Sequence, residues 1–122
     1  MMGQTDIMSK SAKCTAAVTT AYTIAKFGAD DNTFNVAAAA TDILLGIFQS
    51  TTTAAGEEVR IMVLGISRCK LGGTVTRGNA ITSNASAQGI AAAANQSIVG
   101  YALASGVSGD IIPVLLAPVG AL

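Results

Sequence analysis

The sequence contains no histidine, and this absence removes several kinds of chemistry at once. Histidine is the commonest general base, a usual metal ligand and the central member of the Ser-His-Asp triad. Cys14 and Cys69 have no CxxC partners, so a zinc site would need several carboxylates to complete it. Glu57 and Glu58 are adjacent, and neighbouring strand residues point to opposite faces, which excludes an acid–base pair. We therefore predict no catalytic residue, no metal and no cofactor, and we do not expect an enzyme.

Charge is also scarce, with seven basic and seven acidic residues making up 11% of the chain. Typical soluble domains carry about 25%. Nothing forms the basic stripe that a phosphate backbone requires, so we expect no direct nucleic-acid binding. The longest apolar stretch, residues 111–122, is interrupted by Pro113 and Pro118 and is too short to cross a bilayer. The first residues lack the apolar segment of a secretion signal, and we expect no membrane partner.

Aromatic residues are few, with no tryptophan, three phenylalanines and two tyrosines, whereas 23 residues are alanine. Aromatic rings contribute much of the buried area of an ordinary core. The length fits one domain, but its core would be thinly packed, which favours association with further copies or with a larger body. The two cysteines are interpreted as free thiols in a reducing cytosol, with a single disulfide as the alternative.

Strand-like segments recur roughly every 8–15 residues with glycine-containing turns between them. In the clearest one, residues 57–64, Val59, Ile61 and Val63 lie on the buried face, and Glu58, Arg60 and Met62 lie on the opposite, open face. Its continuation predicts that Ser67, Cys69 and Leu71 point inward. This pattern predicts an all-β fold, a small β-barrel or β-sandwich. The alanine runs at 36–40 and 90–94 leave helix and strand open, so one short Ala-rich helix is a possible addition, and Pro113 predicts an edge strand.

Residues 1–20 are rich in Ser, Thr, Lys and Ala and show no sustained apolar period. We predict a flexible N-terminal arm over residues 1–20 and a single β-rich domain over residues 21–122. An extended arm carrying Lys10 and Lys13 can add as a strand to an exposed sheet edge of a neighbour. Simple disorder is the competing interpretation.

The C-terminal half carries four segments in a fixed order: the hairpin VTRGNAIT at 75–82, GIA at 89–91, IVGYAL at 98–103 and GDIIPVLL at 109–116. Their order and spacing resemble the small head decoration, or capsid cement, proteins of tailed bacteriophages. The resemblance spans residues 57–118. In that family, a hairpin ending in A-I-T is followed by an Ala-rich stretch, an I-V-G-x-A-L strand and a closing G-D-x-I-x-V-L-L strand.

The resemblance implies a virion protein that is made in the bacterial host cytoplasm and binds the outer surface of the expanded head. It implies a homotrimer at three-fold or quasi-three-fold positions, with the phage major capsid protein as partner, that stabilises the head against genome pressure. The expected capsid contacts in the arm are Lys10, Lys13, Thr15, Val18 and Thr20. The expected residues of the body and the trimer seam are Ile98, Val99, Tyr101, Leu103, Ile111, Ile112 and Val114. The alternative is a small β-barrel binding module of a phage tail or baseplate that recognises a glycan or a protein.

Overall fold

The computed structural model describes residues 5–28 and 30–121, with the backbone alone for residues 5–8 and 117–121. Every regular element in these residues is a strand, which confirms the predicted all-β class. No helix occurs in them, and so none that could cross a membrane. The strands are β1 (Thr5–Cys14), β2 (Ile24–Phe27), β3 (Thr33–Val36), β4 (Leu44–Phe48), β5 (Glu58–Lys70), β6 (Ala80–Ser83), β7 (Gly89–Ala91), β8 (Ser97–Ala102) and β9 (Ile111–Ala121).

The first five strands close into a barrel in the order β1-β3-β2-β4-β5, with β5 pairing back onto β1. The β1–β3 contact is parallel, and the other contacts of the ring are antiparallel. The choice between barrel and sandwich is therefore decided in favour of a barrel. Closure leaves no free edge between β1 and β5.

The strand β5 also belongs to a second part of the sheet, which continues as β5-β9-β8-β6-β7. The first part of β5, from Glu58 to Ile66, pairs with β1, and its last part, from Gly65 to Lys70, pairs with β9. Gly65 has a φ of 121°, a conformation that residues with a Cβ rarely adopt. Gly65 and Ile66 pair with both strands at once, so β9 lies on the edge of β5 opposite β1, the edge on which Ile61 and Met62 pair with β4.

Two apolar cores follow from this architecture. The barrel core takes residues from all five barrel strands and comprises Ala12, Cys14, Val18, Ala25, Phe34, Phe48, Val59 and Ile61. The second core lies between the outside of the barrel and the β9-β8-β6 part, where Ile24, Ile47 and Met62 meet Leu71, Ile81 and Val114. Each core is small, and its side chains are mostly Ala, Val, Ile and Leu, in keeping with the shortage of aromatic residues.

The segment expected to be a flexible arm is instead part of the barrel from Thr5 onward. β1 is hydrogen-bonded to β5 on one side and contacts β3 on the other. Ala12 and Cys14 are buried in the barrel core although exposed polar residues flank them. The inward residues are small because a five-stranded barrel has a narrow interior. This is why the segment looks too polar to fold when its sequence is read alone.

The alanine runs form no helix, so the short helix left open by the sequence is absent from the described residues. At the first run, the Asp42 carboxylate accepts the backbone N–H groups of Ala38 and Ala39 at 2.9 and 3.0 Å and holds a turn. At the second run, Gly89–Ala91 is strand β7. At the first run, the Asp42 carboxylate thus accepts two backbone N–H groups that a helix would pair with its own carbonyls.

The strand that contains Pro113 is not an edge strand, because β9 lies between β5 and β8. The Pro113 carbonyl accepts the N–H of Leu103 at 3.0 Å, one residue beyond the end of β8. The N–H that proline lacks would face that same position, where regular pairing has already ended. The proline therefore breaks no pair of the β8–β9 ladder, whose last pair is Ala102–Val114.

Candidate docking surface

The last part of β5 alternates strictly between the second core and the outside. Ser67, Cys69 and Leu71 are completely buried, as the sequence pattern predicted. Both cysteines are buried free thiols, and burial raises the pKa of Cys69 to about 12. A thiol of this kind stays protonated and is no nucleophile at neutral pH. Because alternate residues face opposite sides, Ile66, Arg68 and Lys70 point outward.

One row of apolar side chains crosses four neighbouring strands on this outward side. Ile66 on β5 pairs with Leu115 on β9, Leu115 with Tyr101 on β8, and Tyr101 with Ala80 on β6. Directly paired residues of antiparallel strands present their side chains on the same face, so the four side chains are neighbours. We call Ile66, Leu115, Tyr101 and Ala80 the apolar row. Leu115 and Tyr101 are 40% and 37% exposed.

Two further pairs extend the surface along β5 and β9. Arg68 lies opposite Pro113, and Lys70 lies opposite Ile111, which is 51% exposed. We call these four residues together with the apolar row the outer sheet face. Neither Arg68 nor Lys70 forms an ion pair with a side chain that the structure describes. A contiguous exposed apolar surface with a charged rim is typical of a protein interaction site.

The described residues offer no catalytic arrangement. They contain no group of three or more acidic or cysteine side chains that could hold a metal ion. The pKa of Glu57 is lowered because its carboxylate accepts the backbone N–H groups of Ala54 and Thr53. The pKa of Asp42 is lowered chiefly by the N–H of Ala38. Both carboxylates are held ionised by the loops that they stabilise, which is a structural role.

Four of the five residues predicted to contact a capsid are at least partly exposed to solvent. Lys10 and Lys13 are exposed on β1, and the Lys10 Nζ donates to Asn32 Oδ1 at 2.7 Å. Thr15 and Thr20 are half-buried. Val18 must be corrected, because its side chain is completely buried in the barrel core and has no surface to offer a partner.

The residues predicted for the body and the trimer seam divide between the core and the outer sheet face. Ile98, Val99, Ile112 and Val114 are buried within one chain, so they belong to the body and have no surface to offer a seam. Tyr101 and Ile111 lie on the outer sheet face, and Leu103 is half-buried just beyond β8. The sequence analysis did not single out Ile66 and Leu115, which also lie on the outer sheet face. Alternation along residues 111–116 could have separated outward Ile111 and Leu115 from inward Ile112, Val114 and Leu116.

Two open depressions lie on the part of the surface that the structure describes. One, of about 300 Å³, is lined by Ala17, Thr19, Thr20, Thr23, Val36, Ala85, Ser86 and Gln88. The other, of about 330 Å³, is lined by Thr76, Arg77, Leu103, Ala104 and Ser105. Neither lining includes an aromatic ring on which a sugar could stack. These depressions therefore give no support to glycan recognition.

Comparison with known proteins yields a likeness among solved structures. No protein-family model matches the chain, and no curated protein matches it. Among solved structures, the chain is similar to the crystal structure of the head fiber gp8.5 N base of bacteriophage phi29, with a TM-score of 0.71 and 18% sequence identity. The alignment covers 94% of this chain and 97% of that one. The two chains share one fold over nearly their whole lengths.

Proposed function

We propose that this chain is a structural protein of a bacteriophage virion that binds the head. The observation that carries the proposal is the shared fold with the base of a phage head fiber, which extends over 94% of the chain. The resemblance of residues 57–118 to head decoration proteins points in the same direction from the sequence. The scarcity of charge and the apolar outer sheet face suit a subunit that works in an assembly.

The finer form of the proposal is a decoration protein on the outer surface of the expanded head. It acts there as a homotrimer at three-fold or quasi-three-fold positions and stabilises the shell against the pressure of the packaged genome. Three copies on a lattice bind together, so contacts that are weak individually add up to a durable attachment. The protein does no chemistry in this role.

We assign the capsid contact to four residues on and after β1, namely the exposed Lys10 and Lys13 and the half-buried Thr15 and Thr20. The earlier expectation was that this segment adds as a strand to a sheet edge of the shell. β1 already pairs with β3 and β5, so much of its backbone is committed within the chain. Contact through side chains remains open to it, and Lys10 and Lys13 offer two exposed cations to acidic groups of the capsid protein.

The test is co-sedimentation with purified, undecorated expanded heads. We expect the protein to pellet with heads in a saturable ratio to the major capsid protein. The double variant Lys10→Glu/Lys13→Glu should bind at least about tenfold more weakly, because it reverses both charges. Arg77→Glu, an exposed cation on the β6 side, is the matched control and should bind as the wild type does. A chain that never pellets with heads would refute the proposal.

A further inference from the structure

Strand β1 is longer than the strand that pairs with it on its β3 side. On that side only Lys13 and Cys14 have partners, which are Thr33 and Phe34. Over residues 5–12, no strand of the described chain lies along this edge, whereas β5 pairs with the other edge. An unpaired strand edge is a template on which another chain can add as a further strand.

The backbone hydrogen-bonding groups of Ser11 point to this open edge. The N–H of Cys14 donates to the Glu57 carbonyl at 3.1 Å, and the Cys14 carbonyl accepts the N–H of Gly56 at 2.8 Å. Both groups of Cys14 therefore face the β5 side. Successive residues of a strand turn these groups to opposite sides, so those of Ser11 and Ser9 face the open edge.

The opposite strand leads to the same result. Ser11 pairs with Arg60, and the Arg60 carbonyl accepts the N–H of Gln49 at 2.9 Å on the β4 side. Arg60 therefore turns its backbone groups away from β1, and the Ser11–Arg60 pair exchanges no backbone hydrogen bond. In the part of the chain that the structure describes, no group bonds to the N–H or the C=O of Ser11. Both groups are available to a strand of another molecule.

Irregular pairing protects only the first half of the open edge. The register of β1 on β5 shifts between Asp6 and Met8 and again between Met8 and Ser9. Such irregularities twist an edge and hinder the addition of a regular strand. From Ser9 to Lys13 the pairs run without a shift. The stretch around Ser11 therefore lacks this protection.

Lys10 lies in the middle of the regular stretch. Its Nζ donates to Asn32 Oδ1 at 2.7 Å, directly before β3, and lies 6.0 Å from the centre of the Phe34 ring. The ammonium group is thus held on the side of β1 where the edge is open. Antiparallel pairing of this edge with that of a second copy, with Ser9 opposite Ser11, would place the two Lys10 residues opposite each other. Side chains are closest in such a pair, and like charges there destabilise it.

We propose that Lys10 is a gatekeeper residue that prevents β1 of one copy from pairing with β1 of another. The backbone of Ser9 and Ser11 is competent to add a strand, and the charge of Lys10 keeps that edge unoccupied. The effect belongs to the purified chain alone. It can be measured without phage heads, so its failure is distinguishable from failure of the proposed function.

The first experiment measures self-association of the purified chain by light scattering across a concentration series. Lys10→Ser should associate at least about tenfold more strongly than the wild type, because it removes the charge from both edges. Lys10→Glu is the matched control, since it again places like charges opposite each other, and it should associate no more strongly than the wild type. An equal mixture of the wild type and Lys10→Glu should associate more strongly than either protein alone, because opposite charges then meet.

The second experiment tests whether the added association uses the backbone of the open edge. Proline has no N–H and is tolerated at edge positions whose N–H faces solvent. Lys10→Ser/Ser11→Pro should therefore stay folded by circular dichroism and associate only as the wild type does. Lys10→Ser/Ser11→Ala keeps the N–H and should associate like Lys10→Ser.

A Lys10→Ser variant that associates no more strongly than the wild type would overturn this inference. Equal association of Lys10→Glu and Lys10→Ser would also overturn it, because the loss of lysine and not of like charge would then be the cause. Association that persists in the folded proline variant would place the contact elsewhere and contradict the gatekeeper role. If the proline variant does not fold, Lys10→Glu and the mixture decide the outcome.

Discussion

Cys14 and Thr52 meet inside the barrel, where the Cys14 Sγ lies 3.3 Å from the Thr52 Oγ1. The same hydroxyl oxygen accepts the backbone N–H of Val18 at 2.8 Å, and the Val18 carbonyl accepts the N–H of Thr52 at 2.9 Å. One side chain thus joins the N-terminal segment to the loop before β5. This junction makes residues 14–18 part of the folded body.

We predict that Thr52→Val destabilises the protein by about 1–3 kcal/mol. Valine has nearly the shape of threonine but cannot accept a hydrogen bond, so the buried N–H of Val18 loses its side-chain partner. Chemical denaturation followed by circular dichroism measures the difference. Thr51→Val is the control, because Thr51 is exposed and should change the free energy of unfolding by less than about 0.5 kcal/mol.

Removal of residues 1–14 should abolish cooperative folding. The deletion takes away β1, opens the ring between β3 and β5 and uncovers the barrel core. Thermal unfolding by circular dichroism measures this outcome, with Lys13→Ala, an exposed change on the same strand, as the control that should melt normally. A truncated chain that still unfolds in one sharp transition would restore the interpretation of this segment as an arm.

Gly100→Ala should cost about 1–3 kcal/mol or more. A Cβ at this position would collide with the backbone carbonyl of Leu115, and backbone cannot move aside as the end of a side chain can. Gly73→Ala is the matched control, because its Cβ would lie 3.5 Å from Ile90 Cγ2, an ordinary contact. Equal melting temperatures for the two variants would contradict the close approach of β8 and β9.

Alkaline pH should destabilise the wild type through Cys69. Its pKa is raised from 9.0 to about 12 by burial, so above pH 9 the unfolded chain releases the thiol proton while the folded chain keeps it. Stability then falls as the pH rises between these two values, by about 1.4 kcal/mol per pH unit for one proton. Cys69→Ala should show a shallower decline by that amount. The same thiol should resist alkylation until the protein unfolds.

Much of the sheet could be predicted from alternation, as β5 shows. Val59, Ile61 and Cys69 point inward as the pattern indicates. Met62 does not follow it, because the pattern assigned Met62 to an open face and the residue is completely buried in the second core. A strand covered on both sides cannot be recognised from its own residues, since the covering strands come from distant parts of the chain.

The same limit explains why the N-terminal segment was predicted to be an arm and why the outer sheet face was not predicted at all. β1 carries small or polar residues that are adequate only inside a narrow barrel, and the closure of that barrel depends on pairing with β5 about fifty residues away. The apolar row joins Ile66, Ala80, Tyr101 and Leu115, which become neighbours only through the register of four strands. The sequence offers the individual residues but not their register.

The most direct test of the account is binding of the purified chain to undecorated, expanded heads of a candidate bacteriophage. We predict saturable co-sedimentation, with a fixed ratio to the major capsid protein at saturation and heads that withstand higher temperature before they rupture. Absence of the chain from the pellet at every concentration, with head stability unchanged, would contradict the account.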